Sequence, residues 1–249
     1  MLRALILIAA LFAGPAQAEE VVLGLSQDQV AITANFDGSE VLIFGAVKRE
    51  VAIPEGQLQV IITLAGPSLP VTVRRKERVL GIWMNTDAVE VDSAPAFYAV
   101  ASSAPLEDAL AATEDLRYRI TIPRVIRSVG AEVSDSDNFS AALVRIRAGD
   151  DLYQVLEGAV DIEESTLFRG QIALPSALTE GDYVARIFLT RGGQVVDEYR
   201  TIIPVNKVGL ERWLYDLSRE QPLLYGLLTL AIAISAGWAA SAAFRAFQR

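Results

Sequence analysis

The chain has 249 residues, with 22 Lys and Arg against 31 Asp and Glu, a formal net charge of −9, and neither histidine nor cysteine. Lacking imidazole and thiolate, it excludes histidine-dependent triads, histidine general bases, the common zinc sites and a disulfide framework. With Arg3, Arg245 and Arg249 set aside, the stretch from Glu19 to Glu220 holds all 31 acidic and 19 basic residues, net −12, so neither nucleic acid nor anionic lipid headgroups are expected partners of that body.

The chain opens MLRALILIAALFAGPAQAEE. One charge at Arg3, an apolar core from Ala4 to Ala13, the breaker Gly14-Pro15 and Ala16-Gln17-Ala18 match a secretory signal over 1–18 cleaved ahead of Glu19. From Val21 onward, short β-branched and aromatic runs alternate with turn residues. Gln29 to Phe36 and Val41 to Val47, joined at Asp37-Gly38-Ser39, read as a hairpin. Strands are expected at Gln57 to Leu64, Pro70 to Arg74, Arg78 to Met84 and Phe97 to Ala101, at the spacing of a β-sandwich. Trp83 falls in the alternating run Gly81-Ile-Trp-Met-Asn85 and is expected in the core, and the basic cluster Arg74-Arg-Lys-Glu-Arg78 reads as a hairpin end whose charges blunt an edge.

A short helix follows between Ser102 and Thr113, with Ser103 able to cap, Pro105 in its first turn, and Glu107 and Asp108 complementing its dipole. Leu116 to Ile122 alternates and is expected as a strand ended by Pro123, and a first domain over 19–124 ends there. A second domain over 125–206 begins with a strand at Val125 to Val129. It carries a helix from Asn138 to Arg147 with Phe139, Ala142, Leu143 and Ile146 on one stripe, capped by Ser136 or Asp137 and ended at Gly149. Strands resume at Ala159 to Ile162, Leu167 to Leu174, Asp182 to Thr190 and Val195 to Pro204, with Gly192-Gly193 as a turn. Tyr183 enters its strand after Thr179-Glu-Gly-Asp, where an immunoglobulin-like sandwich places a corner tyrosine. The expected fold is mainly β: two immunoglobulin-like β-sandwich domains in tandem with short helical insertions.

The carboxy-terminal part has a different character. Residues 207–221 form a juxtamembrane amphipathic helix with Leu210, Trp213, Leu214 and Leu217 on one face. Pro222 to Phe244 holds no charge over 23 positions, about 34 Å as a helix, enough to cross a hydrocarbon core of about 30 Å. Trp213 and Tyr225 are placed at headgroup level. Ala233, Gly237 and Ser241 repeat every four residues as a small-residue face on which another helix can approach closely. Arg245 and Arg249 in the tail 245–249 favour the cytoplasmic side, so the body is expected outside it.

The stretches Leu23-Gly-Leu-Ser-Gln-Asp28, Ala34-Asn-Phe-Asp-Gly-Ser39, Phe44-Gly-Ala46, Gly81-Ile-Trp-Met-Asn85, Ala94 to Ser103, and Thr179 to Tyr183 together resemble an uncharacterised family of alphaproteobacterial transmembrane proteins. The resemblance covers nearly the whole chain and implies an inner-membrane location with a periplasmic body. It carries no catalytic residues over.

No motif supplies chemistry. Asp135-Ser-Asp-Asn138 lacks the oxygen ligand and glycine that a calcium loop needs at the next two positions, where Phe139 and Ser140 stand. The pairs Asp150-Asp151 and Glu163-Glu164 point to opposite faces if extended, and none of Lys48, Lys76 and Lys207 sits in a serine–lysine motif. No catalytic, cofactor or metal site is therefore expected. The two functional expectations are a non-enzymatic accessory or scaffold subunit of a membrane complex such as a transporter, bound to the bilayer and to a membrane protein through the helix, and a periplasmic ligand-binding or sensory module with a cleft around Trp83, Phe97 and Tyr98.

Overall fold

The structure is a computed structural model that describes residues 19–27, 29–33, 36–49, 56–127, 136–208 and 210–247. The expected signal at 1–18, most of the expected strand end at 128–129, Asp135 and the tail end at 248–249 lie outside the described residues. The chain divides into two compact units. One runs up to Val30 and from Phe36 to Val205, and the other holds 31–35 and the residues from Asn206 on.

The first unit is built of strands, because its apolar side chains recur with period two and β-branched residues suit a pleated, packed surface. In chain order these are β1 (Glu19–Leu25), β2 (Val30–Ile32), β3 (Ser39–Arg49), β4 (Leu58–Ala65), β5 (Ser68–Val79), β6 (Ile82–Pro95) and β7 (Tyr98–Ser102). Helices α1 (Leu106–Ala109), α2 (Ala112–Tyr118), α3 (Ile122–Val125) and α4 (Ser136–Gly149) come next. Then follow β8 (Tyr153–Glu157), β9 (Val160–Glu163), β10 (Leu167–Leu174), β11 (Gly181–Arg191) and β12 (Gln194–Lys207).

A four-stranded sheet has the order β1-β3-β10-β9, a six-stranded sheet the order β2-β12-β11-β4-β7-β8, and β5 and β6 form a separate two-stranded ribbon. The two larger sheets face each other: a Cβ built on Gly170 of β10 would lie 2.9 Å from Ile62 Cδ1 of β4. Along β10 burial alternates strictly, so Phe168, Ile172 and Leu174 enter the core. By contrast β4 is buried along both faces, since the far side of its sheet is covered by the α1–α3 segment. There Ile61, Val100 and Phe188 pack against Ala109, Leu110, Ile120 and Ile122. Hydrogen bonds fix this cover, among them Tyr98 Oη donating to Ile120 O at 2.6 Å, Thr190 Oγ1 to Ala109 O at 2.7 Å, and Arg186 Nη2 to Tyr118 O at 2.9 Å. Burial pushes the Tyr98 phenol well above its ordinary range.

At one end the sheets are joined through charge. Glu19, the first residue of β1 and only 3% exposed in its side chain, accepts hydrogen bonds from Arg49 Nε at 2.7 Å, Arg191 Nε at 2.9 Å and Arg191 Nη2 at 2.8 Å. The arginines spend their remaining donors on Thr166 Oγ1 and on the carbonyls of Ser165 and Gly56. A buried carboxylate is tolerable only when paired and hydrogen-bonded in this way. The Arg191 hydrogen bond leads in holding the Glu19 carboxyl below its ordinary value, against burial, with Arg49 adding to it.

Mainly β is as the sequence indicates, but the expected tandem of immunoglobulin-like domains, 19–124 and 125–206, is not what the strands form. Strand β3 pairs with β10, and β11 is hydrogen-bonded to β4. Segments on both sides of Arg124 therefore share the same sheets. Hydrophobic alternation marks a strand but carries no record of its partner, and here the partners are non-local. The hairpin expected across Asp37-Gly38-Ser39 dissolves for the same reason. Strand β3 pairs with β1, while β2 lies in the six-stranded sheet.

Two local expectations also fail. Leu116 to Ile122 is the end of α2 and the start of α3, not a strand. The Asp115 carboxylate accepts from Ile120 N at 3.0 Å, Thr121 N at 2.8 Å and Thr121 Oγ1 at 2.7 Å, so one side chain satisfies the turn that a strand would have left to a neighbour. Val125 ends α3, and Arg127 makes only an isolated bridge with Ser93. The corner tyrosine does form: Tyr183 Oη donates to Thr179 O at 3.0 Å, its ring 1% exposed and its hydroxyl pushed up to about 12 by burial.

Candidate membrane interface

The second unit contains α5 (Leu210–Glu220) and α6 (Pro222–Phe247). Pro222 opens α6 at the position where a missing N–H costs nothing. Of α6, the 20 residues Pro222–Ser241 are apolar and long enough to cross a membrane, and none of them is fully buried within the molecule. The hydroxyls of Thr229 and Ser235 are satisfied inside the helix, as a lipid environment requires. Thr229 Oγ1 donates to Gly226 O at 2.9 Å, and Ser235 Oγ to the carbonyls of Ala231 and Ile232.

Ala233, Gly237 and Ser241 lie on one face of this continuous helix at four-residue spacing, and a Cβ on Gly237 would meet nothing within 4 Å. Of the expected interface aromatics, Trp213 on α5 is 52% exposed and Tyr225 near the start of α6 is half-buried. Arg219 stacks on the Tyr215 ring at 5.4 Å, so a cation accompanies the aromatics on α5.

The first unit contributes a second exposed apolar feature, which the sequence reading assigned to the core. Strands β5 and β6 pair from Ser68↔Pro95 to Val79↔Ile82, a ribbon whose base is held by α4. Phe139 and Leu143 of that helix pack with Val73, Val89 and Val91, while Ile146 of the expected stripe stays exposed. Beyond this contact the ribbon continues to a two-residue turn at Leu80-Gly81. Both residues have positive φ, 51° and 89°. That is the handedness favoured for tight hairpins, normally supplied by Asn, Asp or Gly. A leucine there is strained by about 1 kcal/mol, and it is fully exposed at 101%.

The neighbours of Leu80 are exposed too: Ile82 62%, Trp83 70%, Met84 48% and Val79 39%. Arg78, opposite Trp83, donates from Nε to Gly81 O at 3.3 Å and staples the turn. Further down, Arg74, Arg75 and Lys76 line a groove against α4 together with Asn138 and Arg145. Arg75 sits 4.6 Å over the Phe139 ring and 3.8 Å from Asp87.

This placement removes the expected ligand cleft. Phe97 and Tyr98 are buried in the sandwich, Phe97 against Tyr183 with ring centroids 6.0 Å apart, while Trp83 stands on the exposed ribbon. The three do not converge. The reading of Arg78 to Met84 as one strand missed the turn at Leu80-Gly81. The available signal was Gly81 itself, a glycine inside an otherwise apolar strand-like run, where the chain can turn.

A family model described as "Putative transmembrane protein" (Alph_Pro_TM) matches residues 20–246. The chain belongs to this family. The match takes in both the β body and the apolar helix, so the helix is part of the family's pattern, and with one candidate span among the described residues this fits a single-pass membrane protein. No curated protein sequence matches the chain. Among solved structures, Spo0M, a sporulation control protein from Bacillus subtilis, aligns over 81% of this chain and 55% of its own length, at 14% identity and a TM-score of 0.27. The chain thus spans about half the length of that protein.

Proposed function

We propose that this family member is a non-enzymatic inner-membrane protein with a periplasmic body, acting as an accessory or scaffold subunit of a membrane complex such as a transporter. The observation that carries this reading is α6. Its polar side chains Thr229 and Ser235 are satisfied within the helix, so they ask nothing of a partner, yet Ala233, Gly237 and Ser241 leave one side free of bulk. A helix serving only as a lipid anchor needs no such face, whereas close helix packing does. The joints support a body held near the bilayer: Val208 and Gly209 alone separate β12 from α5, and Gln221 alone separates α5 from α6. Cationic Arg245 and Arg249 favour the cytoplasmic side for the tail and hence the periplasm for the body.

The test is photo-crosslinking in native membranes from probes at Gly237 and Trp213, with mass identification of the product. One multi-pass protein trapped at Gly237, and lost with Gly237→Leu, is the expected result. Crosslinks to lipid alone would remove the accessory role.

A further inference from the structure

We propose that the tip of the β5–β6 ribbon is a second membrane contact, inserting Leu80, Ile82 and Trp83 into the interface of a bilayer with anionic headgroups. Four observations converge on it. The tip exposes five apolar side chains in six consecutive residues, Val79 to Met84, where a soluble surface of this size would be polar. It does so against local backbone preference, since Leu80 occupies a left-handed position that Asn or Gly fills without strain. The ribbon is rigid at its base, where Phe139 and Leu143 clamp Val73 and Val89. Val79 lies six residues past Val73, about 20 Å at about 3.3 Å per strand residue, so the tip stands clear of that clamp.

The fourth observation is charge. Residues 74–78 carry four cations, Arg74, Arg75, Lys76 and Arg78, against one carboxylate, Glu77, on a chain whose net charge is −9. With Asp87 opposite Arg75, the outer part of the ribbon, residues 74–87, carries four cations against two carboxylates, a net +2 on an acidic body, in departure from the expectation that anionic headgroups are not partners. A tryptophan and aliphatic side chains ahead of a cationic rim match the depth profile of a bilayer interface, where aromatic rings sit at headgroup level and arginines reach phosphates.

A protein partner fits less well. A stable interface takes about 800 Å² from each side, more than the end of a two-stranded ribbon offers. A bilayer needs no such area, and the covalent connection to α6 makes the contact intramolecular, so a weak insertion suffices.

The chain has three tryptophans. With Trp213→Phe and Trp238→Phe, the full chain retains Trp83 as its sole reporter. It is reconstituted into vesicles of phosphatidylcholine and phosphatidylglycerol, with or without bromine on the acyl chains. The expected result is a blue-shifted emission quenched by the brominated lipid, with the quenching reduced in phosphatidylcholine alone and by a rise from 0.1 to 1 M salt, which shortens the screening length from about 10 to about 3 Å. Adding Leu80→Asn and Ile82→Ser is expected to abolish most of the quenching while circular dichroism is unchanged.

Emission that is the same in brominated and ordinary lipid, and as open to acrylamide as in detergent, overturns the proposal. Emission shielded from acrylamide in native membranes but unquenched in the vesicles overturns it too, and assigns the tip to a protein partner. These readings do not depend on Gly237 or its crosslinks, so this proposal and the accessory role fail separately.

Discussion

Strand β4 and the tip of the β5–β6 ribbon are comparably rich in large apolar side chains, LQVIITLA against VLGIWM, yet those of β4 are all buried and those of the tip are all exposed. The difference lies in the number of layers. Strand β4 has β11 and β7 on either side, the four-stranded sheet on one face and the α1–α3 segment on the other. Among the described residues the ribbon is covered by α4 and the adjoining Ile126 and Arg127, towards its base and not at its tip. Hydropathy sets what burial would be worth, and topology decides whether it occurs.

Mutation should make that contrast quantitative. Phe188→Ala empties a site at 0% exposure that packs edge-on with Tyr118, centroids 5.7 Å apart. It should cost about 3–5 kcal/mol, whereas Trp83→Ala, although it also removes a large ring, should stay within about 0.5 kcal/mol. Thermal unfolding of the full chain in detergent reads both, and equal losses would erase the distinction between the two regions.

Next in size is Glu19→Gln, which leaves Arg49 and Arg191 buried without their countercharge and should cost about 3 kcal/mol. Because the Glu19 carboxyl titrates below its ordinary value of 4.5 in the folded protein, its contribution is complete above that value. It is lost as pH falls through the folded value. The melting temperature of the parent should therefore fall more steeply than that of Glu19→Gln below about pH 4.5, and parallel acid limbs would dismiss the cluster as a stabilising element.

Tyr183→Phe removes the donor to Thr179 O and should cost about 1 kcal/mol, measured by denaturant midpoint. An effect of opposite sign is expected at the ribbon tip. Leu80→Asn relieves the left-handed leucine and should raise stability by about 0.5–1 kcal/mol, so a drop in midpoint would mean that Leu80 packs against something.

How much of this was legible follows from how local each signal is. The limits of β10 and β11, the glycine turn at 192–193, the Phe139–Leu143 stripe and the Tyr183 corner all rest on neighbours within a few residues, and the sequence displays them. Strand partnership does not. The Ala46↔Leu167 pair joins positions with no mutual mark in the chain, so the two halves read as separate sandwiches. At the interface, α6 was plain from its uncharged length. Trp83 was misassigned because an alternating strand pattern looks the same whether or not a second layer covers it, and Leu116 to Ile122 because Asp115 satisfies a turn that alternation alone would call extended.

The pairing of β3 with β10 also has a consequence in time. As the chain is synthesised, β3 can zip to β1 at once, but its other edge stays open until Leu167 to Leu174 have been made. The gap between Ala46 and Leu167 is about 120 residues, which at about 5–20 residues per second amounts to about 6–24 s. Throughout that interval Leu42 and Phe44 accompany an unpaired strand, the arrangement most prone to adding a foreign strand. The nascent protein is thus most vulnerable to aggregation before its last third exists, and nonsense truncations ahead of Leu174 should accumulate as insoluble material instead of as a smaller folded body.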